Sequence, residues 1–178
     1  MRKLTFFSLI VALPCLAIND DPDQYTGFNI ELLKIGTVTS QELHNYDHQA
    51  KPSFGWGARL GYEWDGYSAI RYSVSKVDND IDGLDFKRYG TDYQVDWALG
   101  KTFDIFTNKL SFKPYGFIGW HWGKTEKLNE VNKYSACSYG LGIRFNVFEE
   151  IILGAEWNKT KVAGEKLDSI LISAGFKF

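Results

Sequence analysis

The sequence predicts an all-β chain, an eight-stranded antiparallel up-and-down transmembrane β-barrel, and three observations carry that prediction. Segments of about ten residues alternate apolar and polar side chains, the length that a tilted membrane-spanning strand requires. Their polar face is built from glycine, serine and single mid-strand charges, not from the Lys, Glu and Thr that dress a solvent-facing sheet. The connections between them alternate between short and long, apart from the middle inner one. Composition agrees, because 13 Phe, 10 Tyr and 6 Trp beside 17 Gly and only 4 Pro lean towards strand. Beyond the amino terminus, no stretch approaches the roughly 20 apolar residues of a membrane helix.

Residues 1–17, MRKLTFFSLIVALPCLA, are of another kind. A basic start at Arg2 and Lys3, an apolar run from Leu4 to Leu13, then Pro14 and small residues at Cys15 and Ala17 predict a secretory signal cleaved after Ala17. Residues 18–178 are then the barrel domain. Pro14 is a poor neighbour for a lipid-modified Cys15, so no lipid anchor is expected. Cleavage leaves 18 basic against 22 acidic residues, a net charge near −4, which disfavours nucleic acid as a partner. It also leaves a single cysteine, Cys137, so no intrachain disulfide can form.

The strands follow in order. The first runs from Gln24 to Ile35. In FGWGARLGYEW the second sets Phe54, Trp56, Ala58, Leu60, Tyr62 and Trp64 against Gly55, Gly57, Arg59, Gly61 and Glu63. Asp65-Gly66 predicts a two-residue hairpin turn, and the third strand returns with Ile70, Tyr72 and Val74 on one face and Ala69, Arg71, Ser73 and Ser75 on the other. In the fourth, Tyr89, Thr91, Tyr93, Val95, Trp97 and Leu99 alternate with Gly90, Asp92, Gln94, Asp96, Ala98 and Gly100. Leu110 to Trp122 form the fifth, less regular than the rest. Ile118, Trp120 and Trp122 share one face, which puts Phe117 and His121 on the other unless a bulge intervenes. Pro114 lacks a ladder donor and suggests a strand start. In the sixth, Tyr139, Leu141, Ile143, Phe145 and Val147 oppose Ser138, Gly140, Gly142, Arg144 and Asn146, and Cys137 falls on the apolar face. Leu153, Ala155 and Trp157 oppose Gly154, Glu156 and Asn158 in the seventh. The eighth, SILISAGFKF, turns Ile170, Ile172, Ala174, Phe176 and Phe178 towards lipid and Ser173, Gly175 and Lys177 inward.

A narrow barrel of eight strands leaves just enough room inside for side chains. Small residues and mid-strand charges of both signs suit such a lumen, and Glu31, Arg59, Glu63, Arg71, Asp92, Asp96, Arg144 and Glu156 are expected to pair there as a charge network. Starting from an inner-side amino terminus, the outer connections are residues 36–52, 77–88, 124–133 and 161–168. The inner ones lie near 65–66, 102–109 and 148–150.

The segments KPYGFIGWHWG (113–123) and YSACSYGLGIRFNVFEEIILGAEWN (134–158), with the terminal LISAGFKF, resemble the last four strands of small outer-membrane β-barrel proteins of the OmpA, OmpX and opacity-protein type. The resemblance covers residues 24–178 and rests on generic glycine and aromatic alternation. It implies a monomer in the outer membrane of a Gram-negative bacterium, in contact with outer-membrane lipid and lipopolysaccharide. It also implies a terminal Phe178 read by the outer-membrane assembly machinery. The roles it implies are surface adhesion through a host or cell-surface ligand at the loops, envelope integrity, or limited solute passage.

Three constellations bear on chemistry. Asp78, Asp80, Asp82 and Gly83 match the opening of a calcium loop, but the twelfth position is Tyr89 where a bidentate Glu is needed, so a solvated acidic loop is expected. His44, Asp47 and His48 lack the further ligands of a transition-metal site. For His121 the sequence offers no nucleophile and orienting acid that can be assigned beside it. Lipid A deacylases and palmitoyl transferases are also eight-stranded outer-membrane barrels, but the deacylase pattern places a Ser two residues after its His, where this chain has Gly123. The expectation is a non-enzymatic barrel without cofactor or metal, its lumen plugged and its loops facing partners. A narrow porin-like channel and a lipid A-modifying enzyme are the alternatives.

Overall fold

Side chains two apart point to the same side of a strand, so each alternating segment carries one apolar and one polar row. In the computed structural model these rows close on themselves. The structure describes residues 25–39, 53–64, 66–77, 79–80, 86–88, 90–106, 110–127, 130–148, 150–162 and 165–178. The barrel strands are β1 (Gly27–Thr39), β2 (Ser53–Glu63), β3 (Ser68–Val77), β4 (Thr91–Gly100), β5 (Leu110–Lys127), β6 (Glu130–Val147), β7 (Ile151–Val162) and β8 (Glu165–Lys177). Each pairs antiparallel with its sequence neighbour, and β8 pairs with β1, so the sheet closes. At the seam, Phe28 and Phe178 exchange backbone hydrogen bonds of 2.9 Å in both directions.

Register follows the predicted faces. Leu32 is 70% exposed and Leu141 62%, while Arg59 and Arg71 are each 1% exposed, so the apolar rows form the outside of the barrel and the charges its interior. Such an outside is stable only against lipid, since an apolar belt of this extent in water would aggregate. On the fifth strand no bulge intervenes. From Tyr115 to Trp122 the ladders on both sides run without a register break, and Phe117 and His121 both face inward and are buried.

Several boundaries differ from expectation. The β2–β3 connection is longer than a two-residue turn, because the Trp64 N–H donates to the Ser68 carbonyl at 3.2 Å and the Tyr67 carbonyl is drawn aside to accept from Gly100. Gly66 takes φ 68° within it, a left-handed conformation that suits glycine. β4 starts at Thr91 rather than Tyr89, where Gly90 at φ 81° breaks the extended run. β5 starts at Leu110, so Pro114 lies inside it. Its missing N–H is tolerated because the flanking ladder is interrupted there: Gly100 pairs with Tyr115 and Phe103 with Phe112, and Lys101 and Thr102 between them are not in strand.

Two of the four outer connections expected to be long are instead strand. Lys124 pairs with Lys133 and Lys127 with Glu130, so 124–133 is mostly a hairpin arm; Val162 pairs with Glu165, which does the same for 161–168. Pairing satisfies backbone donors and acceptors whether or not lipid surrounds the strand, so the ladders run on past the apolar belt. Short strands Asn79–Asp80 and Phe86–Arg88 extend the sheet beside the β5 arm, and Phe103–Phe106 fills the inner connection before β5. Residues 36–39 of the first outer connection also belong to β1.

Inside, glycine makes room for aromatic rings. A Cβ on Gly142 would lie 2.5 Å from the Tyr115 ring and one on Gly140 2.6 Å from the Phe117 ring, so both rings lie across β6 where no side chain stands.

Leu141→Arg, at mid-height on the lipid face, should destabilise the barrel in vesicles by about 2–4 kcal/mol, and Val131→Arg, on the arm beyond the belt, by about 0–1 kcal/mol. Urea unfolding of both variants checks the expected position of the bilayer.

Candidate functional site

The lumen is the site to which the alternating strands deliver chemistry. Register puts Glu31 of β1 directly opposite Arg59 of β2 and Arg71 of β3 opposite Asp96 of β4. Barrel closure then brings in residues far apart in sequence. The Glu156 carboxylate, from β7, sits at the centre. Arg59 grips it with both terminal nitrogens, Nη2 at 2.9 Å from Oε2, while Oε1 accepts from Arg71 Nη1 at 2.7 Å and from the Tyr115 hydroxyl at 2.6 Å. Arg71 Nε reaches Asp96 Oδ1 at 2.5 Å, and its guanidinium lies 5.0 Å from the Tyr115 ring centre and 4.9 Å from that of Phe117.

A second limb runs towards the inner end. Arg144 donates to Glu31 at 3.0 Å and to Glu63 at 3.2 Å, and Lys113 pairs with Glu63. The limbs meet where Arg59 approaches Glu31 at 3.8 Å. Four cations, Arg59, Arg71, Lys113 and Arg144, thus face four carboxylates, Glu31, Glu63, Asp96 and Glu156. Burying a charge is costly unless it is paired and hydrogen-bonded, and here the pairing is balanced. All eight are 5% exposed or less, which leaves almost no surface within the network for a water molecule to touch.

Seven of the eight charges expected in one network are in it. Asp92 is not: it stands higher in the lumen, where it accepts from the Tyr134 hydroxyl at 2.9 Å. That hydroxyl also lies 3.2 Å from His121 Nε2, and Asp92 Oδ2 is 3.9 Å from the same nitrogen. Parity fixes the face of a residue but not its height, and Asp92 lies four residues above Asp96 on β4. Lys113 escapes the sequence reading, although it shares parity with Tyr115 and Phe117, because Pro114 reads as a strand start. Tyr115 and Tyr134 escape it too, since alternation assigns aromatic side chains to lipid.

Between the two layers the lumen is filled rather than open. Gln94 stands there, donating to Asp96 at 3.1 Å and accepting from Asn158 at 3.2 Å. Leu33, Ile35 and Leu171 form a buried apolar cluster at this height. The cavity bounded by Leu33, Ser73, Gln94, His121, Asn158 and Leu171 holds about 20 Å³, enough for roughly one water.

Of the remaining candidates, His44, Asp47, His48, Asp78 and Asp82 lie outside the described residues, and of Asp80 only the backbone is described, in the short strand Asn79–Asp80. Cys137 is exposed on the outward face of β6. Phe178 is exposed on the outward row of the seam.

A closed antiparallel barrel, apolar outside and charged and filled inside, defines a membrane-spanning β-barrel protein. Residues 6–178 match the family model of the outer membrane protein beta-barrel domain, and the chain belongs to that family. No curated protein sequence matches it. Among solved structures it is similar to the N-terminal β-barrel domain of Pseudomonas aeruginosa OprF, at 13% identity over 86% of this chain and 99% of that one, with a TM-score of 0.60. Neisserial surface protein A is similar at 12% identity over 85% and 97% of the two chains, with a TM-score of 0.58. Ail, the attachment invasion locus protein of Yersinia pestis, is similar at 17% identity over 85% and 99%, with a TM-score of 0.50. At these identities the likeness is one of fold.

Glu156→Leu removes the carboxylate shared by two buried guanidiniums and should cost about 3–5 kcal/mol, while Arg71→Leu in that background should recover part of the loss. Urea midpoints of the two single variants and the double variant in vesicles measure both effects. Strictly additive losses would mean that the two groups are not coupled.

Proposed function

We propose that this chain is exported by residues 1–17 to the outer membrane of a Gram-negative cell. There it acts as a non-conducting, non-enzymatic barrel, a rigid mount for hairpins that meet other surfaces in adhesion or envelope maintenance. The observation that carries this reading is the eight-member charge network across the lumen, whose members are 5% exposed or less. A passage for solutes would have to break several buried ion pairs at once, each within a medium of low dielectric where the loss of one partner is costly. Outer-facing arms that extend the ladders past the apolar belt, as β5 and β6 do through the Lys127–Glu130 pair, support a role in presentation. Two proteins similar in fold are named as a surface protein and as an attachment invasion locus protein, which agrees with that role. His121 serves the lumen as a structural residue in this reading, with Tyr134 and Asp92 as its neighbours.

In planar bilayers the protein should show no steady conductance. Regular ohmic steps, altered by Arg59→Ala or Glu63→Ala, would overturn the closed lumen. Mass spectrometry of lipid A from expressing cells should show an unchanged acyl pattern, and an acyl chain lost or gained in a His121-dependent way would make the protein an enzyme.

Phe178 carries a second expectation. It closes the seam with Phe28 and offers its ring on the outward row, where the family resemblance assigns it to the assembly machinery. Deleting it should lower the folded fraction in outer-membrane preparations, read as the heat-dependent electrophoretic shift of a folded barrel, and undiminished insertion would remove that role.

A further inference from the structure

The barrel wall has a slot in it. Among the described residues the β6–β7 ladder ends at the pair Ser138–Thr160. Beyond that level β6 stays paired with β5 up to Glu130, and β7 stays paired with β8 up to Val162. The two hairpin arms therefore part, and between them lies a pocket of about 440 Å³, within the range of small-ligand sites. Its lining mixes outward-facing residues, among them Trp120, Tyr139 and the lysines, with inward-facing Ala136 and Leu167, so it cuts into the wall. It does not cut through. Tyr134, Val162 and Leu167 form a buried apolar cluster that closes it on the lumen side.

Charge is what makes this slot unusual. Three lysines, Lys159, Lys161 and Lys166, line it. Lys159 has company, at 3.6 Å from Asp168 and over the Trp157 ring at 4.7 Å. Lys161 and Lys166 face one another directly across the β7–β8 ladder, both exposed, and neither is ion-paired to a described residue. Like charges directly opposite on adjacent strands are destabilising, so the pair invites an anion between them. Below the lysines the outward face is apolar and aromatic, with Tyr139, Trp157 and Leu141 at 55%, 40% and 62% exposed. Cationic groups at the outer edge of a lipid-facing slot, above an aromatic slope, match an amphiphile with an anionic head and hydrocarbon tails.

We propose that this slot binds lipid A, the phosphorylated and acylated sugar of the outer leaflet. A phosphate lies between Lys161 and Lys166, and an acyl chain runs down the Tyr139–Trp157 face. The inference rests on the outer-membrane placement proposed above, which puts the β5–β6 and β7–β8 arms at the outer leaflet. Phosphate oxygens accept from both ammonium groups, which relieves their mutual repulsion, and the Trp120 indole, held by its 2.5 Å bond to Ser135, walls the slot on the β5 side.

The test uses the full-length protein in phosphatidylcholine vesicles or nanodiscs, titrated with bis-phosphorylated lipid A and with its dephosphorylated form. Lys161→Gln/Lys166→Gln keeps most of each stem and should weaken retention of the phosphorylated lipid about tenfold. The control Lys124→Gln/Lys133→Gln removes a second facing lysine pair, on the β5–β6 arm and outside the slot's lining, and should weaken retention by a clearly smaller factor. Cys137 lines the slot and reports occupancy directly, since bound lipid A should slow its alkylation several-fold. Equal weakening by both double variants, equal retention of dephosphorylated lipid A, or unslowed alkylation would each overturn the site. So would tighter binding of a soluble polyanion such as heparin that displaces the lipid, because it would assign the lysines to a soluble partner. The heat-dependent electrophoretic shift, unchanged in both variants, establishes that the barrels are folded. Conductance is a separate measurement, so an open lumen would refute the closed-barrel reading and leave the slot's result standing.

Discussion

The carboxylate of Glu156 takes three donors from three other strands, Arg59 of β2, Arg71 of β3 and Tyr115 of β5. None of these strands adjoins β7, which carries Glu156, so the contacts run across the lumen instead of along the wall. A sheet by itself fixes only neighbours. Cross-lumen bonds fix the separation of opposite walls and therefore the bore. They also explain why the interior carries charge at all, since an eight-stranded lumen too narrow for a water column must be filled with side chains, and long flexible cations can reach across where short apolar groups would leave voids. Once Arg59 and Arg71 are inside, matched carboxylates become obligatory. The glycines of β6 are part of the same constraint, because the Tyr115 ring reaches Glu156 only by lying over Gly142.

Faces are legible in the sequence, heights and neighbours less so. The alternation of FGWGARLGYEW with Glu31 on the strand before it already implies that Arg59 and Glu31 share the inside, and register places them opposite one another. The eighth strand reads the same way, with Ile170, Ile172 and Phe176 all outward. Period two says nothing of which level of the lumen a residue occupies, because that depends on the stagger between strands. Alternation therefore groups Asp92 with Asp96, although the first bonds Tyr134 and the second Arg71. Leu33, Ile35 and Leu171 break the alternation by chemistry but not by position. They are apolar residues on inward parity, and only the cluster they form in the lumen explains them.

Connections are harder to read for a related reason. A strand is recognisable by alternation while one face meets lipid, but past the belt both faces meet water and the pattern fades. Lys124 to Lys127 and Glu130 to Lys133 read as loop on composition, yet they pair residue for residue. Backbone hydrogen bonding does not need an apolar face, so the ladder outlives the signal that announces it. Pro114 is the opposite case. A residue that argues for a strand start is accommodated mid-strand because the neighbouring ladder lapses at Lys101 and Thr102.

The extension of the arms has a structural consequence at the wall. Within the belt the β6–β7 ladder is continuous from Val147–Ile151 to Ser138–Thr160, as closure in lipid demands, because an unpaired edge there has no water to satisfy it. Above the belt that demand lifts. Each hairpin can satisfy its own backbone, β5 with β6 and β7 with β8, and the two need not stay joined. The wall therefore opens where Lys159, Lys161 and Lys166 follow the apolar belt. The closed lumen and the slotted rim have one origin: pairing is compulsory inside the membrane and optional beyond it.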